Sequence, residues 1–209
     1  MKCRVSVAVL LLVGVVSLAA QNPQGWKVRI DRSTSASDPD AAGAVKFVTS
    51  GSGFRATNPQ AAVFWNPANT ATGNYSLKGT FKLMKPSGHT NFYGLVFGGS
   101  EVEGPGQAYL YFLVGQDGSW LVKRREGDAT KDVAPKAQNE AVKKPDASGQ
   151  STNALEVRVL PDKIEYVVNG TTVHSTPKTG LTAKTDGIYG IRVNHQLEVQ
   201  IDGFAMSKR

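Results

Sequence analysis

Cysteine is nearly absent from this chain of 209 residues, because the only one is Cys3. A single cysteine forms no intrachain disulfide and no paired thiolate zinc site. Long apolar runs are also missing: the most apolar stretch, Val5–Val16, has 12 residues and is too short to cross a bilayer comfortably. The fold therefore depends on a sizeable apolar core rather than on covalent links.

The N-terminal residues follow the order of a secretory signal. Lys2 and Arg4 precede the apolar stretch Val5–Val16, and the small residues Ser17 and Ala19 then stand three and one before a cleavage point. A basic start, an apolar centre and small residues at the cut are typical of export signals. We therefore predict that the protein is secreted or periplasmic.

Cleavage near this point divides the chain into a signal peptide, residues 1–20, and one domain, residues 21–209, with no transmembrane segment in the mature protein. The net charge of the whole chain is +7, and a basic surface can attract nucleic acid or acidic polysaccharide. The one tight basic cluster, Lys123-Arg124-Arg125, lacks the interleaved aromatics that stack on single-stranded bases. We predict no nucleic-acid partner.

The apolar residues predict an all-β fold, because they occur in short runs between turn residues such as Asn169-Gly170. Tyr75–Met84 alternates apolar and polar residues, as a half-buried strand does. Ala108–Val114 is apolar on both faces, which indicates an interior strand whose outer face is covered by a loop or offered to a ligand. Asn66-Pro67 is predicted to end a strand that begins at Ala61. For Asp128–Asn153 we favour short edge strands over a lid or disordered surface.

Ten or more short strands joined by tight turns predict a two-sheet antiparallel β-sandwich of the jelly-roll type. The further strands that we expect are Trp26–Ile30, Ala44–Thr49, Phe54–Thr57, Asn91–Phe97, Ser119–Arg125, Ala154–Leu160, Lys163–Val168, Thr171–Ser175, Ile188–Asn194 and Leu197–Ser207.

Two segments carry a resemblance to a known superfamily. One is the C-terminal third, with Val168-Asn169-Gly170-Thr171 and Thr185–Val193 before a last strand that ends at Asp202-Gly203-Phe204. The other is His89–Asp128. Together they resemble concanavalin A-like lectin/glucanase domains, and in particular the laminin-G-like and 3-keto-disaccharide hydrolase-like sandwiches of exported bacterial proteins. The resemblance covers most of the mature chain and implies the fold; its strand and turn residues say little about activity.

No catalytic signature is complete. The β-glucanases of this superfamily use three alternating carboxylates on one strand, where one is the nucleophile and another the general acid. This chain has only Glu101-Val102-Glu103, followed by Gly104-Pro105-Gly106, so we expect a solvated loop there. A Gly-x-Ser-x-Gly nucleophile motif is absent as well. We predict no catalytic residues.

The histidines and acidic residues form no recognised metal motif. His89 and His195 lie at the ends of predicted strands, where they could meet in space, although a polar surface role is the simpler interpretation. Asp31, Asp38 and Asp40 could bind calcium, as in some related sandwiches, but their spacing does not fit an EF-hand. We therefore predict no metal ligands and no cofactor, with calcium as the open alternative.

Aromatic residues are the main candidates for ligand binding. The apolar faces of sugar rings stack on Trp and Tyr, and sugar hydroxyls bind polar side chains, so a carbohydrate site pairs an apolar platform with a few polar groups. If the tyrosine face of the central strand is the outer one, a groove could form; these side chains could equally pack in the core. The predicted site residues are Tyr93, Tyr109, Tyr111, Trp120, Arg124, Arg192 and His195.

Three functions remain open at this point. The first is an exported carbohydrate-binding sandwich without catalysis, which would show an exposed aromatic row on one sheet. The second is a glycoside-processing enzyme, as the 3-keto-disaccharide hydrolase-like resemblance implies, which needs converging carboxylates and a histidine. The third is an interaction protein of the cell envelope with a flat polar or apolar contact surface.

Overall fold

A computed structural model describes residues 22–33, 36 and 38–209. The predicted signal peptide lies outside the described residues, and these residues form fourteen strands and one short 3-10 helix at Gly180–Thr182. The strands are β1 (Lys27–Asp31), β2 (Lys46–Ser50), β3 (Gly53–Asn58), β4 (Ala61–Ala71), β5 (Tyr75–Lys85), β6 (Phe92–Ser100), β7 (Ala108–Gly115), β8 (Ser119–Glu126), β9 (Ala129–Gln138), β10 (Ser151–Val159), β11 (Lys163–Val168), β12 (Thr171–Pro177), β13 (Gly187–Val193) and β14 (Leu197–Lys208).

The strands form two antiparallel sheets of seven. Sheet A has the order β1-β4-β13-β6-β7-β8-β9, and sheet B has the order β12-β11-β10-β5-β14-β3-β2. This confirms the predicted two-sheet antiparallel sandwich of the jelly-roll type. No helix in the described part of the chain is long and apolar enough to cross a membrane.

The main core lies between the two sheets. Alternation along each strand puts every second side chain there, so Leu110, Phe112 and Val114 of β7 face Leu155 and Val157 of sheet B, all of them buried. Sheet A is also buried on its other face, which we call the outer face. Tyr109, Tyr111 and Leu113 of β7 lie there in a second apolar cluster.

A loop between β6 and β7 contributes to this second cluster, because its Val102 packs against the outer face. The Arg29 guanidinium of β1 donates hydrogen bonds to the Glu103 and Gly104 carbonyls, at 3.2 and 2.7 Å, and so ties the loop to the sheet. The predicted interior position of the apolar strand Ala108–Val114 is confirmed, and of the two alternatives for its outer face, a covering loop or a ligand, burial against the β6–β7 loop is observed.

The strands β4 and β9 test two of the sequence predictions. β4 continues through Asn66-Pro67 to Ala71, so the prediction that it ends there was wrong. Pro67 has no N–H for the ladder, and the strand tolerates it because the pairing with β13 shifts register between Ile188 and Gly190. The polar segment Asp128–Asn153 does contain an edge strand, β9, as favoured from its composition.

Candidate functional site

A buried arginine, Arg192, lies on the outer face of sheet A and has several polar and aromatic partners there. Arg192 on β13 forms an ion pair with Asp31 at the end of β1, and its Nη1 donates to the Tyr109 hydroxyl at 3.2 Å. Its Nε donates to Asn194 Oδ1 at 3.2 Å, and its guanidinium lies 5.4 Å from the ring centre of Tyr111. This distance is within the range of a cation–π contact. Arg192 therefore has partners on four sides.

The ion pair of Arg192 and Asp31 keeps its charges near neutral pH. Burial alone would raise the pKa of Asp31, but the charge and hydrogen bond of Arg192, with the charges of Arg125 and Arg29, hold that pKa below its usual value. Burial raises the pKa of Tyr109 to about 12, so its hydroxyl remains protonated. Asp31 is therefore a permanent carboxylate near neutral pH and is not suited to act as a general acid.

Both histidines at the strand ends come together next to this network. β6 and β13 are paired, with Tyr93 opposite Val193, so the segment before β6 and the turn after β13 lie side by side. As a result His89 Nε2 and His195 Nε2 are 3.1 Å apart. Asp38, in the loop after β1, places Oδ1 at 2.6 Å from His89 Nε2 and at 3.1 Å from His195 Nε2.

A second carboxylate orients His195. Asp40 Oδ1 lies 3.0 Å from His195 Nδ1, and its other oxygen accepts the Ser33 backbone N–H at 2.9 Å. Gln196, with a positive φ of 57°, turns the chain after β13 and donates to the Pro39 carbonyl at 3.0 Å. The β1–β2 loop is thus held against the β13–β14 turn, and this contact keeps Asp38 and Asp40 beside His195.

A cleft of about 280 Å³ opens between the arginine network and the histidine cluster. Amide, guanidinium, imidazole and carboxylate groups all face it, together with Ala61 and Ser33. We call it the polar cleft; its charged and polar side chains are Asp31, Arg32, Asp38, Asn91, Arg125, Arg192, Asn194 and His195.

The predicted site residues divide into separate groups. Arg192 and His195 line the polar cleft, and Tyr109 and Tyr111 lie on the outer face in contact with Arg192. Tyr93 faces the core between the sheets, where Asn153 donates to its hydroxyl at 3.3 Å. These positions do not form a single row, and the part they take in binding stays a prediction.

Trp120 and Arg124 lie on the other side of sheet A from the tyrosines. Trp120 is a core residue with 5% of its surface exposed, and its ring stacks on His174 with centres 5.0 Å apart. Arg124 lies where β6 ends and β13 begins, in a cleft of about 480 Å³ with Lys184 and Asp186. His195 lies at the other end of β13, so Arg124 and His195 do not share a groove.

The acidic residues named from the sequence also separate. Glu101 and Glu103 lie in the turn between β6 and β7, where Glu103 pairs with Lys27 at the surface. Asp31 pairs with Arg192, and Asp38 and Asp40 contact the histidines, so the three aspartates do not converge on one point. His89 and His195, by contrast, do meet, which was the less favoured of the two possibilities that their places at strand ends left open.

Sequence reasoning missed Asn91, Asn194 and Arg125 as cleft residues. Arg125 belonged to a noted basic cluster, and alternation along β8 would have put it on the opposite face from Arg124. Asn194 directly precedes His195 and could have been found with it. Asn91 had no distinguishing signal, because one asparagine in a loop before a strand is ordinary.

Comparisons with known proteins detect the fold but no close relative. No protein-family model matches the chain, and no curated protein of similar sequence was found. The carbohydrate-binding module CBM66 from Bacillus subtilis is similar in structure, with a TM-score of 0.62 and 8% identity over 88% of this chain and 96% of that one. The family 7 alginate lyase A1-II', bound to its product, has a TM-score of 0.55 and 14% identity over 88% and 95% of the two chains.

A protein of unknown function with a galectin-like fold, also from Bacillus subtilis, has a TM-score of 0.54 and 13% identity over 88% of this chain and 89% of that one. At such low identity these matches establish the fold alone. The chain has the antiparallel jelly-roll β-sandwich fold that these structures share.

Proposed function

We propose that this protein is an exported carbohydrate-binding β-sandwich whose ligand occupies the polar cleft. The observation that carries the proposal is the convergence of Asn91, Arg125, Asn194 and His195 on one cleft of about 280 Å³. A sugar hydroxyl both donates and accepts hydrogen bonds, so it needs donors and acceptors side by side. Asparagine amides offer both, and guanidinium groups add several donors in a fixed plane.

The location of the cleft supports the same reading. Part of its floor is formed by Arg192 and Asp31, which are held by each other, and Arg192 is also held by the buried Tyr109. A fixed floor reduces the conformational entropy that ligand binding would otherwise cost. The polar groups, rather than an exposed row of aromatic rings, support the proposal, since Tyr109 is fully buried and Tyr111 is 6% exposed.

The structural neighbours point to the same class of ligand. One of them is a carbohydrate-binding module, and another is an alginate lyase solved with its product. Both have this fold and are named for carbohydrates. The order of a signal peptide in residues 1–20 supports export and a periplasmic or extracellular location.

Catalysis on glycosides is less well supported. A glycosidase general acid needs a carboxyl group with a raised pKa. In the polar cleft, Arg192 holds the pKa of Asp31 below its usual value, so this carboxyl group does not fit that role. We therefore propose binding rather than hydrolysis.

The proposal is tested by applying the purified protein to an array of neutral and acidic glycans, followed by calorimetry with the best ligand. Arg125→Ala removes a cleft donor, and a hydrogen bond to a charged group is worth about 1.5–3 kcal/mol, so we expect at least about tenfold weaker binding. Arg55→Ala is the matched control, because Arg55 forms a surface ion pair with Glu198 on sheet B, far from the cleft.

Equal loss in both arginine variants would remove the cleft from the proposal, since only general charge would matter. Binding that is unchanged in Arg125→Ala and in Asn194→Ala would mean that the ligand occupies another surface. An array with no binding at all would contradict the proposed function and favour an interaction protein of the cell envelope.

A further inference from the structure

We propose that Asp38, His89 and His195 form a binding site for a nitrogen-preferring divalent metal ion, of which zinc is the first candidate. Asp38 Oδ1 and the two Nε2 atoms are 2.6–3.1 Å from one another. They belong to three segments that are far apart in the sequence: the loop after β1, the loop before β6 and the turn after β13. Three potential ligand atoms thus converge on one point.

Hydrogen bonding alone does not account for this convergence. An imidazole Nε2 has a single in-plane site, which holds either a proton or a lone pair. His89 Nε2 has three close neighbours: Asn91 Nδ2 at 3.0 Å, His195 Nε2 at 3.1 Å and Asp38 Oδ1 at 2.6 Å. The Asn91 amide nitrogen, which also donates to Ser87 Oγ at 3.1 Å, can only donate, and the carboxylate can only accept, so the two cannot both bond to the single site of this nitrogen.

A metal ion resolves this conflict. Zinc binds imidazole nitrogen and carboxylate oxygen at about 2.0–2.2 Å, which puts tetrahedral ligand atoms about 3.3–3.5 Å apart. The three observed separations of 2.6, 3.1 and 3.1 Å are shorter by a few tenths of an ångström or more. Small outward movements of the side chains would therefore seat the ion. Asp38 and His89 are 48% and 43% exposed and have room to move.

The surroundings of His195 fit the role of a ligand. Metal-bound histidines usually donate their other ring N–H to a carboxylate, which fixes the tautomer. Asp40 Oδ1 stands 3.0 Å from His195 Nδ1 and thereby favours a lone pair on Nε2. Asp40 is held in turn by the Ser33 N–H. The charges of Asp38 and Asp40 together would balance the two positive charges of the ion.

The choice of metal follows from the donor atoms. Two imidazoles and one carboxylate suit zinc and other late first-row divalent ions, whereas calcium takes six to eight oxygen ligands. Three protein ligands would leave a fourth position for water or for a ligand, as in open zinc sites. Asp38 and His195 border the polar cleft, so that position would lie at its edge. The three ligands can hold the ion whether or not the polar cleft binds a glycan.

The experiment uses purified protein without a histidine tag, treated with EDTA and titrated with zinc against a chromophoric chelator. We expect about one ion per chain. His89→Gln and Asp38→Asn each remove a ligand, so each should weaken zinc binding by more than the about 10–100-fold loss that a supporting residue gives. Asp40→Asn should give that smaller loss. His174→Gln is the matched control, because His174 lies on β12 outside the cluster and should bind zinc like the unaltered protein.

Thermal unfolding provides a second measurement that also reports on folding. Zinc should raise the melting temperature of the unaltered protein and of His174→Gln, but not of His89→Gln. Unchanged zinc affinity in both His89→Gln and Asp38→Asn would overturn the proposal, as would an equal loss in His174→Gln. Binding of calcium instead of zinc, lost in the same variants, would overturn the assignment to a nitrogen-preferring metal.

Discussion

The two faces of strand β7 in sheet A are both buried but chemically different. The inner face of β7 presents Leu110, Phe112 and Val114 to sheet B, and its neighbours there are apolar. The outer face of the same strand presents Tyr109 and Tyr111, whose neighbour is the charged side chain of Arg192. Burial by itself therefore does not distinguish a core from a site. The difference lies in whether the buried atoms have polar partners that a ligand could share.

The largest loss of stability is expected from a substitution on the inner face of sheet A. Phe112 is fully buried and its ring lies 5.3 Å from that of Tyr166 across the core. Phe112→Ala should lower the free energy of unfolding by about 4 kcal/mol, because it loses apolar burial and leaves a cavity. Urea unfolding followed by tryptophan fluorescence measures this loss. A loss below about 1 kcal/mol would contradict the assignment of this face as the main core.

A smaller loss of stability is expected from a substitution on the outer face of sheet A. Asp31→Asn keeps the shape of the side chain but leaves the Arg192 charge buried without its counter-ion. Breaking a buried pair in this way should cost about 3 kcal/mol. The double variant Asp31→Asn with Arg192→Met should recover part of that loss, since no unpaired charge remains. Additive losses in the double variant would show that the pair is not coupled in the fold.

The smallest expected effect is the dependence of stability on pH. His174 on the inner side and Asp31 on the outer face contribute to it in different pH ranges. His174 stacks on Trp120 at the inner side, and burial lowers its pKa from the usual 6.5. Below pH 6.5 the unfolded chain therefore takes up a proton that the folded chain does not, so this contribution to stability is present above 6.5 and falls on acidification. Asp31 acts in another range: its contribution is present above 3.8 and is lost only as pH falls through its lowered folded pKa.

Unfolding followed between pH 5 and 8 checks this prediction, and His174→Gln should flatten the profile there. Asp31→Asn should leave the profile in that range unchanged in shape and alter it only in more acidic solution. A slope that persists in His174→Gln would assign the titration to another group.

Much of the fold could be predicted from alternation and turns. The strand β5 was visible because Leu77, Phe81 and Leu83 alternate with polar residues, and this pattern depends only on local backbone geometry. The prediction ended β4 too early, because a proline is a local signal that usually ends a strand. The register shift that accommodates Pro67 depends on the neighbouring strand β13, which the local sequence does not show.

The site was less predictable, because it depends on which segments meet. That Arg192 is buried on the outer face could be expected once β13 was known to be an interior strand, but its pairing with Asp31 requires the sheet order β1-β4-β13. The approach of His89 to His195 was one possibility that their places at strand ends raised, but not the favoured one. The positions of Asp38 and Asp40 beside the histidines could not be predicted, because a loop without regular pairing has no periodic pattern in its sequence.

The position of β14 has a consequence for how the chain is made. β14 lies between β3 and β5, so these two early strands of sheet B are joined only through a strand that is synthesised much later. Arg55 on β3 and Glu198 on β14 form an ion pair across 143 positions. Until β14 arrives, β3 and β5 each have an unpaired edge, and such edges invite contact with other chains. Completion of sheet B is therefore a late, long-range event, which favours slow folding.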